Sequence, residues 1–198
     1  GFLFTAQNYI TAHNKNLTRD QLKHLKEKAF TGYELVQATA RVCAMNMMLH
    51  GIGSEKSVPV VVGDALAADP GERYEVVLAN PPFGKKSSTV IVGEDGRTST
   101  EKDTIERDDD SWATTSDKQL NFVQHIKTLL ATHGRAAVVL PDNVLFEGGA
   151  GETIRKKLLH ECDVHTLLRL PTGLFYAQGV KANVLFFDRN PRSEEHTS

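Results

Sequence analysis

The stretch Asn80-Pro81-Pro82-Phe83 holds the residues of this 198-residue chain whose types and spacing are most able to do chemistry. It follows Tyr74 to Ala79, where Val76, Val77, Leu78 and Ala79 suit a short strand covered on both faces. Two prolines then forbid both a continued ladder and an ordinary helix, and Pro81 pushes Asn80 towards an extended backbone. The product is a stiff loop presenting an amide, an unpaired carbonyl and an aromatic ring at fixed places. Those groups suit an exocyclic amino group on a flat heteroaromatic ring, a poor nucleophile because its lone pair is delocalised. The Asn80 side-chain oxygen and the Pro81 backbone oxygen would accept its two N–H bonds, localise the lone pair and aim it at an electrophilic methyl group. Phe83 would stack on the ring, and a base inside a duplex would have to be flipped out. The same tetrapeptide also reads as a strand-terminating turn and nothing more, and taken alone it leaves both readings open.

Two acids stand at comparable places. Glu34 closes the strand candidate Ala29 to Glu34, and Asp64 follows a second buried-strand candidate, Val58 to Val62, across Gly63. Ligands of open parallel sheets bind beyond the carboxyl ends of the strands. There Glu34 suits the two hydroxyls of a ribose and Asp64 the amino group of an adenine. Singly, each acid also reads as a solvated turn residue. Three strand ends in series, two acidic and one Asn-Pro-Pro-Phe, argue for a nucleoside cofactor beside the amino-group site.

The elements that must position these residues follow from periodicity and punctuation. Thr5 to Ala12 reads as a helix, and 18–29 as a short amphipathic helix capped by Thr18. Residues 35–50 predict a helix with Leu35, Ala38, Val42, Met45 and Leu49 inward, Met45, Met47 and Met48 in the core, and Gly51 as C′ residue. Asp69-Pro70-Gly71 is a turn. Residues 84–117 form a long polar loop. In it Lys85 and Lys86 are either phosphate contacts or plain exposed lysines, Asp108 to Asp110 face solvent, and Trp112 either anchors the loop or meets a partner. A helix over 117–133 turns Leu120, Val123, Ile126 and Leu130 inward and stops at Gly134. Ala136 to Leu140 is a buried strand, and Pro141 to Phe146 continue a pocket at its carboxyl end. Gly148 to Gly151 lack the spacing of a phosphate cradle and read as a joint before a helix over 152–161. Val164 to Leu170 and Asn183 to Phe187 are strands.

Bulk properties bound the class. The length suits one α/β domain, and 40% hydrophobic with 24% charged residues is ordinary for a globular protein. A net charge of −2 lacks the basic surplus of a chain that grips DNA alone, so DNA affinity would come mainly from a partner or a local patch. Cys43 and Cys162 read as reduced core thiols of a cytoplasmic protein. His160, Cys162 and His165 lack a fourth metal ligand and read as structural. No apolar run reaches membrane-spanning length.

Gly-Tyr-Glu-Leu at 32–35, Asn-Met-Met-Leu-His-Gly-Ile at 46–52, Gly-Asp-Ala-Leu at 63–66 and Leu-Ala-Asn-Pro-Pro-Phe-Gly at 78–84 together resemble the adenine-N6 DNA methyltransferases. The likeness is specifically to the modification subunit of type I restriction–modification systems, and it covers residues 1–190. It implies an α/β, Rossmann-like class I S-adenosylmethionine-dependent methyltransferase fold whose last two strands form an antiparallel pair. It implies S-adenosylmethionine as cofactor and no metal. Glu34 would bind the cofactor's ribose and Asp64 border its adenine. Asn80, Pro81, Pro82 and Phe83 would be catalytic, with Asn80 also facing the cofactor. Pro171 to Phe175 would lie at the target-base side. The partners implied are DNA, a DNA-specificity subunit and a restriction subunit with endonuclease and translocase functions, with no membrane. Methylation of RNA or of a protein glutamine is the alternative chemistry, and an inactive fragment the non-enzymatic one.

In that family a Gly-rich cofactor loop and a central first strand precede the Gly-Phe-Leu found here at residues 1–3. The expectation is therefore an N-terminally truncated methyltransferase domain, with an incomplete sheet and poor solubility. Arg192-Ser-Glu-Glu-His-Thr-Ser198 is what the common sequencing adapter AGATCGGAAGAGCACACGTCT encodes in one frame, so residues 192–198 are expected to be a non-native tail.

Overall fold

The computed structural model of the chain describes residues 1–83, 88–92, 98–102, 111–175 and 181–190; in 88–92 and 98–102 it describes the backbone path. Lys85, Lys86, the acidic run Asp108–Asp110 and the tail 192–198 lie outside the described residues. The chain divides into two compact units, Gly1–Ala67 and Ala68–Ser198.

The first unit contains α1 (Phe2–His13), α2 (Arg19–Glu27), β1 (Gly32–Glu34), α3 (Gln37–Leu49) and β2 (Val60–Val62). Thr18 caps α2 as expected and completes a capping box: its hydroxyl accepts from the Gln21 N–H, while the Gln21 side chain accepts from the Thr18 N–H. Helix α3 ends as predicted, with Gly51 at φ 78°. The Gly51 and Ile52 N–H groups donate to the Met48 and Met47 carbonyls, a Schellman motif that the fully buried Ile52 seals against buried Met47. β1 and β2 pair in parallel, Gly32 opposite Val60 and Glu34 opposite Val62.

Two expectations for this unit fail. The face Leu35, Ala38, Val42, Met45 and Leu49 is exposed, and the inward stripe is Ala40, Cys43, Ala44 and Met47. Both stripes are apolar at helical spacing, so periodicity cannot choose between them. A two-stranded sheet covers one, which leaves Met47 in the core and Met45 and Met48 outside it. For the same reason β2 is not buried: Val61 and Val62 are about half exposed.

The second unit contains β3 (Tyr74–Ala79), β4 (Ser88–Val92), β5 (Thr98–Lys102), α4 (Lys118–Leu129), β6 (Leu130–Pro141), α5 (Asp142–Phe146), α6 (Ala150–Glu161), β7 (Asp163–Arg169) and β8 (Ala182–Asp188). Its main sheet runs β3-β6-β8-β7, with β3 parallel to β6 and β8 antiparallel to both its neighbours. Inside the stretch expected to be one long loop, β4 and β5 pair as an antiparallel ribbon. The core lies on one face of the sheet. Leu120, Val123, Ile126 and Leu130 point inward as predicted and meet Ala136, Val138 and Leu140 of β6, Phe187 of β8, and Ile154, Leu158 and Cys162 at α6. Full burial of each large aliphatic side chain contributes about 1.5–3 kcal/mol. Burial also pushes the Cys162 thiol up to about 11.

Strand β3 departs from its expected double burial. Val77 and Ala79 pack on the core, but Val76 and Leu78 are 50% and 40% exposed. The unit's helices α4, α5 and α6 all feed the same core, so among the described residues they cover one face only. Gly134 is not a helix terminator either. Helix α4 gives way directly to β6 at Leu130, and the left-handed position is taken by His133 at φ 64°. Gly134 serves a close approach instead: a Cβ there would sit 2.9 Å from the carbonyl oxygens of Ala131 and Tyr74.

Candidate active site

Parallel pairing of β3 with β6 brings their carboxyl ends to one edge of the sheet. Strand β7 runs the same way and β8 the opposite way, so the end of β7 and the start of β8 reach that edge too. Four segments of the second unit therefore converge there: Asn80–Phe83 after β3, Pro141–Asn143 after β6, Arg169–Phe175 after β7, and Ala182–Asn183. Phe83 and Phe175 meet edge to face, centroids 5.3 Å apart at 79°. Asn80 is exposed and Pro81 buried. The Asn80 amide and the Pro81 carbonyl take no hydrogen bond among the described residues, whereas the Pro82 carbonyl accepts from Gln119 Nε2 at 3.2 Å.

The long stretch after Phe83 returns through a strap, Ser111 to Asp117, held on α4 by side chains. Gln124 Oε1 accepts from Ser111 Oγ at 3.1 Å, Trp112 N at 2.6 Å and Ala113 N at 3.0 Å, and its Nε2 donates to the Ala113 carbonyl at 3.1 Å. Asn121 Nδ2 donates to the Thr115 carbonyl at 2.9 Å. Trp112 is the anchor of this strap: its indole N–H donates to Glu161 at 2.9 Å, and the Lys127 ammonium sits 4.9 Å from the ring centroid. Asp117 ends the strap and caps α4, its Oδ1 accepting from the N–H groups of Gln119 and Leu120.

At the far side of the edge, Asp142 accepts from Asn183 Nδ2 at 2.7 Å and from Arg169 Nη2 at 2.8 Å. The Asn183 bond, opposed by burial and supported by Arg169, holds the Asp142 carboxyl below the usual carboxylate range. Asn183 is fully buried, and its Oδ1 has no partner among the described residues. The network ties the carboxyl end of β6 to the point where β7 enters Pro171–Phe175.

The two acids lie in the first unit, at neighbouring strand ends. Glu34 Oε1 accepts from the Val36 N–H at 2.9 Å, at the positive end of α3. Asp64 Oδ1 accepts from the Leu66 N–H at 2.9 Å. Each carboxylate thus spends one oxygen on fixing its own turn, and the other has no partner among the described residues. Half-buried Glu34 and exposed Asp64, each with a spare acceptor, fit the hydroxyls and amino group of a nucleoside. Among the described residues no group of three or more His, Cys, Asp or Glu side chains is placed to hold a metal ion, and no helix is long and apolar enough to cross a membrane.

Sequence reasoning brought Asn80–Phe83 and Pro141–Phe146 to one edge but missed Gln119, Gln124 and the Asp142–Asn183–Arg169 network. The available signal was the polar side of α4. Asn121, Gln124, His125 and Thr128 are all buried, although at their spacing they read as a solvated face, and buried Gln119 lies four residues before Val123 on the apolar side.

The chain matches the N-6 DNA methylase family model over residues 1–197. It is 42% identical over 99% of its length to the StySJI methylase subunit of Salmonella typhimurium, and equally to the EcoKI methylase subunit of Escherichia coli K12. The crystal structure of the EcoKI M protein superposes with a TM-score of 0.78 at 41% identity, over 95% of this chain and 37% of that one. A Listeria monocytogenes protein described as a class I S-adenosylmethionine-dependent methyltransferase shares the fold, with a TM-score of 0.59 at 11% identity, over 96% of this chain and 60% of that one. The chain spans about a third of the length of the curated relatives it matches, 35% of the Salmonella subunit and 36% of the E. coli one. With a class I methyltransferase fold and a family match along almost its whole length, the chain belongs to the N-6 DNA methylases.

Proposed function

We propose that this chain forms part of the catalytic domain of a cytoplasmic type I modification enzyme, transferring a methyl group from S-adenosylmethionine to the N6 amino group of adenine in DNA. The observation that carries the reading is the state of the Asn80–Phe83 loop. Among the described residues Asn80 Oδ1 and the Pro81 carbonyl are unpaired acceptors at the sheet edge, while the next carbonyl is already occupied. Those two acceptors take the two N–H bonds of the adenine amino group and turn its lone pair out of conjugation. Phe83, held by Phe175, offers the ring a stacking face. The cofactor supplies an electrophilic methyl group on a sulfonium. Glu34 would hold its ribose and Asp64 its adenine. Neither acceptor on the loop is basic enough to keep the proton that N6 loses after transfer, so it leaves to water. Sequence selection falls to a DNA-specificity subunit, consistent with a net charge of −2, and cleavage to a restriction subunit.

Calorimetry of S-adenosylmethionine binding, paired with radiolabelled methyl incorporation, tests this in the whole modification enzyme. Glu34→Ala is expected to weaken cofactor binding at least tenfold, roughly the worth of a charged hydrogen bond. Asn80→Ala should spare that binding and abolish incorporation into DNA. Incorporation into RNA or a glutamine-containing protein instead of DNA would refute the substrate assignment. Cofactor binding unaffected by Glu34→Ala would refute that residue's role.

A further inference from the structure

We propose that Gln119 is a positioning residue for methyl transfer, its buried carboxamide setting the conformation of the catalytic loop by tying down the Pro82 carbonyl. The inference rests on the catalytic reading of Asn80–Phe83. Three carbonyls stand in a row at Asn80, Pro81 and Pro82, and only one of the backbone oxygens, that of Pro81, is required by the amino group. Neither proline has an N–H, so the loop cannot set its own geometry with turn hydrogen bonds at these positions. Both proline φ angles are locked near −65°, which leaves ψ as the soft variable. A donor on the Pro82 oxygen sets ψ there, and with it the direction in which Phe83 leaves and the face the Pro81 carbonyl turns outward.

Gln119 is built for that task. It is 4% exposed, lies in the first turn of α4, and has its backbone N–H held by the Asp117 carboxylate at 2.8 Å. Only Nε2 of its amide can donate to a carbonyl, so the orientation of the group is dictated by the contact itself. The donor is neutral and places no positive charge beside an amino group that must remain nucleophilic. The strap clamped by Gln124 runs into Asp117, so the rigidity of residues 111–117 is passed to the donor through the helix cap.

The test is single-turnover incorporation of labelled methyl into genomic DNA from a methylation-deficient strain, by the whole modification enzyme, with cofactor affinity measured alongside. Gln119→Leu keeps the volume and loses the donor. It is expected to slow transfer roughly 10- to 100-fold while cofactor affinity stays within about twofold. Gln119→Glu is isosteric. Its carboxylate repels the Pro82 oxygen, but its protonated form donates to it. The rate of Gln119→Glu relative to wild type should therefore climb as the medium is taken from about pH 8 to about pH 6, because burial raises the acid's pKa. A purely structural role would tie any recovery to regained fold or cofactor affinity, so circular dichroism and cofactor affinity of the Glu variant, followed over the same pH range, should stay level while the rate climbs. If the Leu variant fails to fold, the pH profile of the Glu variant decides alone. A Leu variant that transfers at the wild-type rate, or a Glu variant whose profile runs parallel to wild type, overturns the proposal. A wild-type enzyme that binds cofactor but labels no DNA overturns the reading of the loop itself, and this inference with it.

Discussion

Gln124→Leu isolates what holds the strap. The substitution keeps the volume of a side chain that is 4% exposed, so it opens no large cavity. It removes the acceptor shared by the Ser111 hydroxyl and the Trp112 and Ala113 N–H groups, and the donor to the Ala113 carbonyl. Two backbone donors lose their partners in a half-buried place that water reaches in part, while the Ala113 carbonyl keeps the Ser111 hydroxyl at 3.1 Å. At about 1 kcal/mol for each lost partner, the cost is about 2 kcal/mol. That cost has a ceiling, because the strap can come off α4 before the sheet unfolds. What then remains on it is the indole bond to Glu161, the Lys127 ammonium near the ring and the Asn121 bond to the Thr115 carbonyl. Trp112 is the chain's single tryptophan, so its fluorescence reports the strap alone. Urea denaturation followed by fluorescence and by far-ultraviolet circular dichroism should give coincident curves for wild type. In the variant, tryptophan emission should move to the red in the absence of urea, and the fluorescence transition should precede the dichroism transition. Unshifted emission with coincident curves at the wild-type midpoint would refute the assignment of Gln124 as the clamp.

Two further outcomes follow from the second unit. Gly134→Ala drives a Cβ to 2.9 Å from two backbone oxygens, one of them on Tyr74 of the neighbouring strand, so it should cost about 1–3 kcal/mol in urea melts; wild-type stability would show that close approach is not what selects glycine there. Asp142 has its folded pKa lowered below the ordinary 3.8, so its contribution is fully present above that value and lost as pH falls through the lower one. The stability gap between wild type and Asp142→Asn should accordingly be constant near neutrality and close below about pH 4, and a gap that widened on acidification would contradict the network.

The elements of this chain were set by local chemistry that the sequence carries openly. Thr18 and Gln21 specify the start of α2 wherever that helix sits, Gly51 its counterpart at the end of α3, and two consecutive prolines end β3 in any context. The inward stripe of α4 was equally plain, because Leu120, Val123, Ile126 and Leu130 lie on the helix's one strongly apolar side. The placement of Asn80–Phe83 and of the two acids, Glu34 and Asp64, at strand ends was legible for the same reason, since prolines and short polar runs punctuate strands in residue type and order. Tertiary structure alone decided the rest. Helix α3 is apolar on more than one side, and only the extent of the sheet beside it selected Ala40 and Met47 over Val42 and Met45. The polar residues of α4 read as a solvated face because a hydropathy pattern cannot tell a side chain bonded to water from one bonded to a strap 11 residues away. Gln119 lies on the apolar side and is no more legible: its meaning lies in one hydrogen bond across 37 residues of chain, and nothing local to position 119 specifies the carbonyl at its other end.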